Sequence, residues 1–420
     1  MVQQTKESKD FESSQVPLSK RKGFLSLFVI MLGFTFFSAS MSVGARLGNS
    51  LSFSGFLTAI LIGSVILGAY TGLLAYVGSS TGLSMDLLAH YSFGKKGSYL
   101  PSAMIALTQV GWFGVGVAML AYPLSELFGI SPIIFVVIAG VLMTVSAWFG
   151  IDALTIVSSI SVPLISILGI ISMYMAITQS GGLSSMFGTD QMPMLTAVGL
   201  VVGSFVSGGT TTPNFVRFAK SKGIAVTTTV TAFFAGNCLM FLFGAIGGAY
   251  TNSEDIFYVM IAQGLTIPAI LVLGANIWTT NDNALYSAGL GLSNITSQSK
   301  KITTLVGGIL GTVAALWLYD NFVGWLNLLN TTLPPVGIIL ILDYFCRKKD
   351  YESEEPQKDF RIFSILGVIA GAIGANFIPI GISSINAMVI AAISYFIGAL
   401  LDRRKEQIPG SAWEMPGESN

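Results

Sequence analysis

Apolar residues gather into twelve long stretches, near 24–46, 55–78, 98–126, 132–149, 153–178, 194–219, 223–250, 267–292, 302–319, 322–344, 360–378 and 383–400. A helix crosses a bilayer with about 20 apolar residues, so the pattern predicts an all-α polytopic membrane protein. Residues 80–97 are too polar to span and are expected along the cytosolic face. The segment EDIFYVMIAQG from Glu254 reads as a short outer helix between spans seven and eight. The expected organisation is a tail (1–22), a ten-helix core (23–345), a charged linker (346–359), two further spans (360–400) and a second tail (401–420). No soluble module is long enough to hold a catalytic core.

Charge fixes an orientation. Of the 21 Lys and Arg residues, all but Arg46 lie before the first span or after an even-numbered one. The clusters are Lys6, Lys9 and Lys20 to Lys22, then Lys95–Lys96, Arg217 to Lys222, Lys300–Lys301, Arg347 to Arg361 and Arg403 to Lys405. Cytosolic loops retain Lys and Arg, so both termini are expected in the cytosol, with the chain in the cell's inner (plasma) membrane. Composition agrees: 52% hydrophobic and 10% charged, against about 25% charged in soluble domains. A net charge of zero gives no sign of nucleic acid binding. The first 22 residues mix acidic and basic side chains and run into a full-length span without a small-residue cleavage site, so they read as a tail and not a signal peptide. Cys238 and Cys346 match no metal or disulfide spacing and read as small apolar fillers. His90, the sole histidine, reads as a solvated surface residue.

Two spans carry residues that break helices. Span one holds a Gly/Ser/Thr-rich stretch from Gly33 to Ser40, and span six holds Gly208, Gly209 and Pro213. These spans occupy matching places in two five-helix halves. Interrupted helices at equivalent positions point to a transporter site on an inverted repeat. An unwound backbone is tolerated in lipid only where it lines a cavity. The competing explanation is that Gly and Ser merely allow close helix packing.

Span eight is the most polar, from Gly274 to Asn283. Asn276, Thr279 and Thr280 stand at i, i+3 and i+4 and share one face. A carbonyl at Asn276 and two threonine hydroxyls, with the carbonyls of Gly33 and Phe36 from the break in span one, would make a five-oxygen shell. Neutral oxygens without a carboxylate suit Na⁺ better than Ca²⁺ or Mg²⁺. Alternatively, the threonines bond back to their own preceding turn. Asp282 is the carboxylate expected deep in the membrane, where such groups are costly and functional by default. It is open as a proton site, as a partner for a buried amide, or as part of the Asn281/Asn283 cluster. No intramembrane Lys or Arg is expected to pair with it. Glu126, Asp152, Asp320 and Asp343 fall near helix ends, where solvent is expected to reach them.

Gln109 and Trp112 in span three are three apart and share a face. An amide beside an indole suits a flat heteroaromatic ligand, and Phe205 at the broken part of span six could supply a second slab. Ser207 and Asn281 could add contacts along its edge. Membrane tryptophans also serve as packing or interfacial anchors.

Five strings together resemble the nucleobase:cation symporter-1 family: Phe34 to Met41, Thr108 to Met119, Val202 to Phe205, Asn276 to Leu285, and Ala315 to Tyr319 with Asn321 to Trp325. The likeness runs in order from about residue 15 to 400. It implies a twelve-helix symporter with a five-plus-five inverted repeat, broken helices one and six, and two additional C-terminal helices. The activity it implies is Na⁺-coupled import of cytosine. The base would lie between Trp112 and Phe205; many relatives carry tryptophan at the latter position, and the smaller phenylalanine is consistent with a single pyrimidine ring. Edge recognition would fall to Gln109, Ser207 and Asn281, with backbone groups near Phe37 and Ser38. The Na⁺ ligands would be carbonyls near Gly33 and Phe36, with Asn276, Thr279 and Thr280.

The chain carries no Walker motif, nucleophile–base pair or His/Cys metal cluster. A secondary active transporter, not an enzyme, is therefore expected, with no obligate protein partner. An intramembrane enzyme would need paired acids, bases or a metal site, and a channel would favour a repeated pore-lining motif. Within transport, coupling to H⁺ and carriage of uracil or a purine stay open.

Overall fold

The computed structural model describes residues 10–321, 329, 331–352 and 358–407. Lys6 and Lys9, residues 322–328 and 330 of the tenth expected span, 353–357 of the linker and 408–420 of the C-terminal tail lie outside the described residues, as do the side chains of Arg403 to Lys405.

The described chain is mostly helical. The first apolar stretch folds as α1 (Phe24–Thr35) and α2 (Ser38–Ser50), bent by 56° at the break between them. Then come α3 (Phe53–Thr81), α4 (Met85–Phe93), α5 (Tyr99–Phe128), α6 (Pro132–Trp148) and α7 (Ile151–Gln179). A second interrupted element, α8 (Met194–Gly209) with α9 (Pro213–Val216), leads to α10 (Lys222–Thr251) and the short α11 (Ile256–Ala262). The chain continues through α12 (Thr266–Thr296), α13 (Lys300–Asp320), α14 (Pro334–Cys346), α15 (Ile362–Gly374) and α16 (Ser383–Gln407).

Among the described residues, six helices are long and apolar enough to cross a membrane, and the bent α1–α2 pair makes a seventh. α6, α8, α14 and α15 are apolar but shorter. α12 spans 31 residues, yet its middle carries the buried polar residues Asn276 and Thr279 to Asn283. It packs on α5, α7, α13 and α1 and so forms the polar axis of the core. The outer faces are apolar: Ile133, Val137 and Val141 on α6, and Leu305, Ile309 and Val313 on α13, are all exposed. Apolar patches of this extent are a liability in water and suit contact with lipid.

α2 and α10 approach closely enough for their backbones to touch. A Cβ on Gly44 would fall 2.2 Å from the Phe241 carbonyl oxygen, and one on Gly244 would strike the Met41 carbonyl. Only glycine permits this contact. It anchors the half of the broken element beyond the bend.

The segment expected along the cytosolic face is partly packed inside: Asp86, Leu88 and Phe93 of α4 are buried, and His90, expected to be solvated, is half-buried with its ring 2.7 Å from Asn294 Oδ1. Asp343, expected to meet solvent at a helix end, is buried as well, paired with Arg347 and accepting from the hydroxyls of Tyr351 and Tyr395. The N-terminal segment is a strap. Asp10 accepts from Lys300 Nζ at 3.0 Å, with both side chains nearly sealed from solvent. Arg217 donates to the carbonyls of Asp10 (2.6 Å) and Phe11 (3.0 Å), and to the Tyr286 hydroxyl (3.2 Å). Val16 N–H donates to the Gly82 carbonyl, Arg21 to that of Ser79, and Lys22 pairs with Asp152 at 2.7 Å. A short parallel bridge, Lys22 with Ala219, completes the attachment. Phe11 and Val16, apolar residues within the polar tail, are buried; they were the one signal in the sequence for this packing.

Candidate substrate and cation site

Ending a helix leaves its last carbonyls without intrahelical donors. At the end of α1, Phe36 and Phe37 are extended, and Thr35 turns its hydroxyl back to the Leu32 carbonyl and across to that of Ala232 on α10. The orphaned carbonyls face α12. Thr280 Oγ1 lies 2.7 Å from the Phe36 oxygen and 3.4 Å from those of Gly33 and Asn276. Thr279 Oγ1 is 3.0 Å from the Asn276 carbonyl and 3.1 Å from that of Ala275, so it is bonded back onto its own helix. The five oxygens anticipated from sequence are thus linked into one buried group. The Asn276 side chain plays a separate part. Its Oδ1 accepts from Ser38 Oγ at 3.1 Å, which ties α12 to the first turn of α2. The oxygens present are neutral and match a small monovalent cation in charge.

Beside this group lies a small pocket between α1–α2, α5, α8 and α12. Phe37, Gln109, Trp112, Phe205 and Ser207 line it, together with Phe34, Ser204, Gly208, Thr280 and Ala284. Thr280 therefore belongs to both the oxygen group and the cavity wall.

The aromatic walls are braced. Trp112 meets Phe37 edge to face at 5.3 Å, and Phe205 is held the same way by Phe34 at 5.1 Å and Phe233 at 5.4 Å. Bracing at the edge fixes the orientation of each ring. The Gln109 amide Nε2 is buried with no hydrogen-bond partner. A buried donor left unpaired costs about 1–3 kcal/mol, which an acceptor on a ligand would recover.

One expected edge reader lies elsewhere. Asn281 does not line the cavity: its Nδ2 donates to the Phe113 carbonyl at 3.1 Å, and its side chain crowds Gly116. Ser38, whose backbone was expected near the edge of the base, is not among the lining residues; its hydroxyl donates to Asn276 Oδ1. Phe34, Ser204, Gly208 and Ala284 line the cavity without having been expected from the sequence. Helical spacing was the available signal, since Ser204 stands at i−3 from Ser207, and Ala284 at i+4 from Thr280. Asp282 is outside the cavity and faces α6, where Ser146 Oγ donates to its Oδ1 at 2.5 Å. Among the described residues no cluster of His, Cys, Asp and Glu could hold a metal.

Residues 15–398 match a family model described as permease for cytosine/purines, uracil, thiamine and allantoin. The cytosine permease of Escherichia coli K12 is 48% identical over 401 residues, covering 94% of this chain and 96% of that protein. The hydantoin permease of Microbacterium maritypicum is 22% identical over 369 residues, 79% of this chain and 74% of the relative. Among solved structures, the nucleobase-cation-symport-1 transporter Mhp1, closed with bromovinylhydantoin bound, superposes with a TM-score of 0.81 at 18% identity, over 95% of this chain and 96% of that one. A Na⁺-coupled sialic acid symporter in a substrate-bound outward-open state gives 0.69 at 17% identity, over 91% and 90%. The fold is thus of the Mhp1-like transporter kind, and the relatives are permeases, not enzymes. The chain belongs to the nucleobase:cation symporter-1 family of cytosine and purine permeases and is a polytopic membrane transporter.

Proposed function

We propose that the protein imports cytosine in symport with Na⁺ by alternating access around the break in α1–α2. The observation that carries this reading is Thr280, whose hydroxyl belongs to the buried oxygen group and whose side chain also lines the cavity. A cation held by Gly33, Phe36, Asn276, Thr279 and Thr280 would order the wall against which the base packs. Cytosine would stack on Trp112 and Phe205 and give an acceptor to the unpaired Gln109 amide, with Ser207 on its edge. Asn281 and Ser38 would act through the cavity's frame, by bonds to α5 and to α12. The 48% identity to a cytosine permease supports the substrate.

The architecture we infer has twelve spans, ten of them in two inverted five-helix halves. It is supported by breaks at corresponding places, between α1 and α2 and between α8 and α9. Both termini would lie in the cytosol of a plasma-membrane protein, in keeping with the basic residues on one side of the spans.

The test is uptake of labelled cytosine into proteoliposomes under an imposed Na⁺ gradient, and separately under an H⁺ gradient. Accumulation driven by Na⁺ alone is expected. Accumulation driven only by H⁺ would reject the coupling ion and keep the substrate.

A further inference from the structure

The Phe205 ring belongs to a longer chain of packed aromatic side chains. Phe34, which braces it, also packs on Phe215 of α9 with ring centroids 5.2 Å apart, and Phe215 packs on Tyr286 of α12 at 5.9 Å. Phe34, Phe215 and Tyr286 are all buried, and the last two do not line the cavity. The far end of the chain meets the N-terminal strap. The Tyr286 hydroxyl accepts from Arg217 at 3.2 Å, and the Lys300 ammonium lies 4.5 Å from its ring centroid. The same two cations hold Asp10: Arg217 through the Asp10 and Phe11 carbonyls, Lys300 through the Asp10 carboxylate. Asp10 is thus joined to a cavity wall through Tyr286, Phe215 and Phe34.

The middle link lies on the shortest element. α9 has four residues and follows the break at Thr210 to Thr212, and Arg217, which caps it, is the residue that the strap engages. Packed interiors move between discrete arrangements and do not deform smoothly. Loss of the strap would free Arg217, let α9 turn, and take the Phe215 ring from behind Phe34. Phe34 is one of the two rings that meet Phe205 at the edge. A platform free to turn binds a flat ring less well, because binding must then also order the platform.

We propose that Phe215 is a positioning residue that carries closure of the strap to the Phe205 ring, so that the cavity holds a flat base tightly only while Asp10 is paired with Lys300. The inference rests on the reading that a base stacks on Phe205, and it deepens that reading. Affinity is set in part by a salt bridge whose members lie outside the cavity lining. Local packing alone would give Phe215 a cost that is the same whether or not Asp10 is paired.

The experiment is a double-mutant cycle of Asp10→Asn and Phe215→Leu in the full chain, read by cytosine affinity in Na⁺. Each single variant is expected to weaken binding about tenfold and the double variant no further, since residues on one coupled path do not add. Unchanged affinity in either single variant, or a roughly hundredfold loss in the double variant as for independent sites, overturns the proposal. A second readout needs no cytosine: labelling of Ala284→Cys, on the cavity wall, by a water-soluble thiol reagent after Cys238→Ala and Cys346→Ser. Faster labelling in each single variant is expected, with no further rise in the double. Equal rates in the parent and in Phe215→Leu overturn the proposal. Labelling that follows the expected pattern in a protein that does not bind cytosine rejects the substrate reading and keeps the positioning role. If Phe215→Leu does not fold, Tyr286→Phe, which removes only the hydroxyl that Arg217 reaches, takes its place in both cycles with the same outcomes.

Discussion

The hydroxyl of Thr280 lies 2.7 Å from the carbonyl oxygen of Phe36 and joins the middle of α12 to the broken end of α1. It has one proton to give, and three carbonyls surround it within 3.4 Å. Oxygens that outnumber their donors leave lone pairs for a cation. Thr280→Ala should therefore abolish sodium stimulation of cytosine binding without unfolding the protein. Coupling between two ligands is typically about 1–3 kcal/mol and must be reciprocal. Binding titrations in sodium and in choline measure it, and equal affinity of the parent in both media would reject the ion site.

The braced aromatic pair gives a second expectation. Trp112→Ala should weaken cytosine binding by about 1–3 kcal/mol, the range for a base stacked on an aromatic side chain. Phe205→Trp should crowd the small cavity and change which bases compete. Near-normal uptake by a well-folded Trp112→Ala variant would reduce this tryptophan to packing.

Edge reading is tested by competition. Cytosine offers an amino donor and an unprotonated ring nitrogen where uracil offers a carbonyl and an N–H. An unmatched buried group costs about 1–3 kcal/mol, roughly a ten- to hundredfold preference. Cytosine and 5-fluorocytosine should compete strongly and uracil weakly, and Gln109→Leu should narrow the gap. Equal competition in the parent would reject edge reading even with stacking and coupling intact.

Asp86 predicts how stability depends on pH. Burial pushes its carboxyl up to about 6, against the donated hydrogen bond of Ser102. The folded state then holds a proton that the unfolded chain has released, so stability falls as pH rises from about 4 to about 6 and is level above that. The loss is of order 2–3 kcal/mol. Asp86→Asn should raise the melting temperature at neutral pH and have little effect in acid. A variant that melts like the parent at both pH values would contradict this.

Much of the site was legible because breaking a helix in lipid demands particular residues. Gly33, Thr35 and Ser38 flank the break, and the i, i+3, i+4 spacing of Asn276, Thr279 and Thr280 placed their oxygens on the face that meets it. Asn281 shows the limit of adjacency. One step along a helix is about 100° around it, so its amide reaches Phe113 on α5 while Thr280 reaches the break. Phe34 was hidden because an apolar residue in an apolar span gives no sign of facing a cavity. The Asp10–Lys300 pair was hidden for another reason. Its members lie 290 residues apart, and a pattern of polar positions does not distinguish a solvated charge from a paired one.

The strap also bears on how this transporter is handled. A chain shortened to begin at Gly23 would keep every membrane helix, yet leave Lys300 without its counter-charge and Arg217 without the two carbonyls it holds. Stripping a buried cation of its partner costs about 3–5 kcal/mol, and water is the readiest replacement. Trimming the N-terminus for crystallisation, or fusing a bulky tag close to Asp10, would thus bias the population toward forms with water at Lys300 and Arg217. Conformations captured from such a variant would report the surgery as much as the transport cycle.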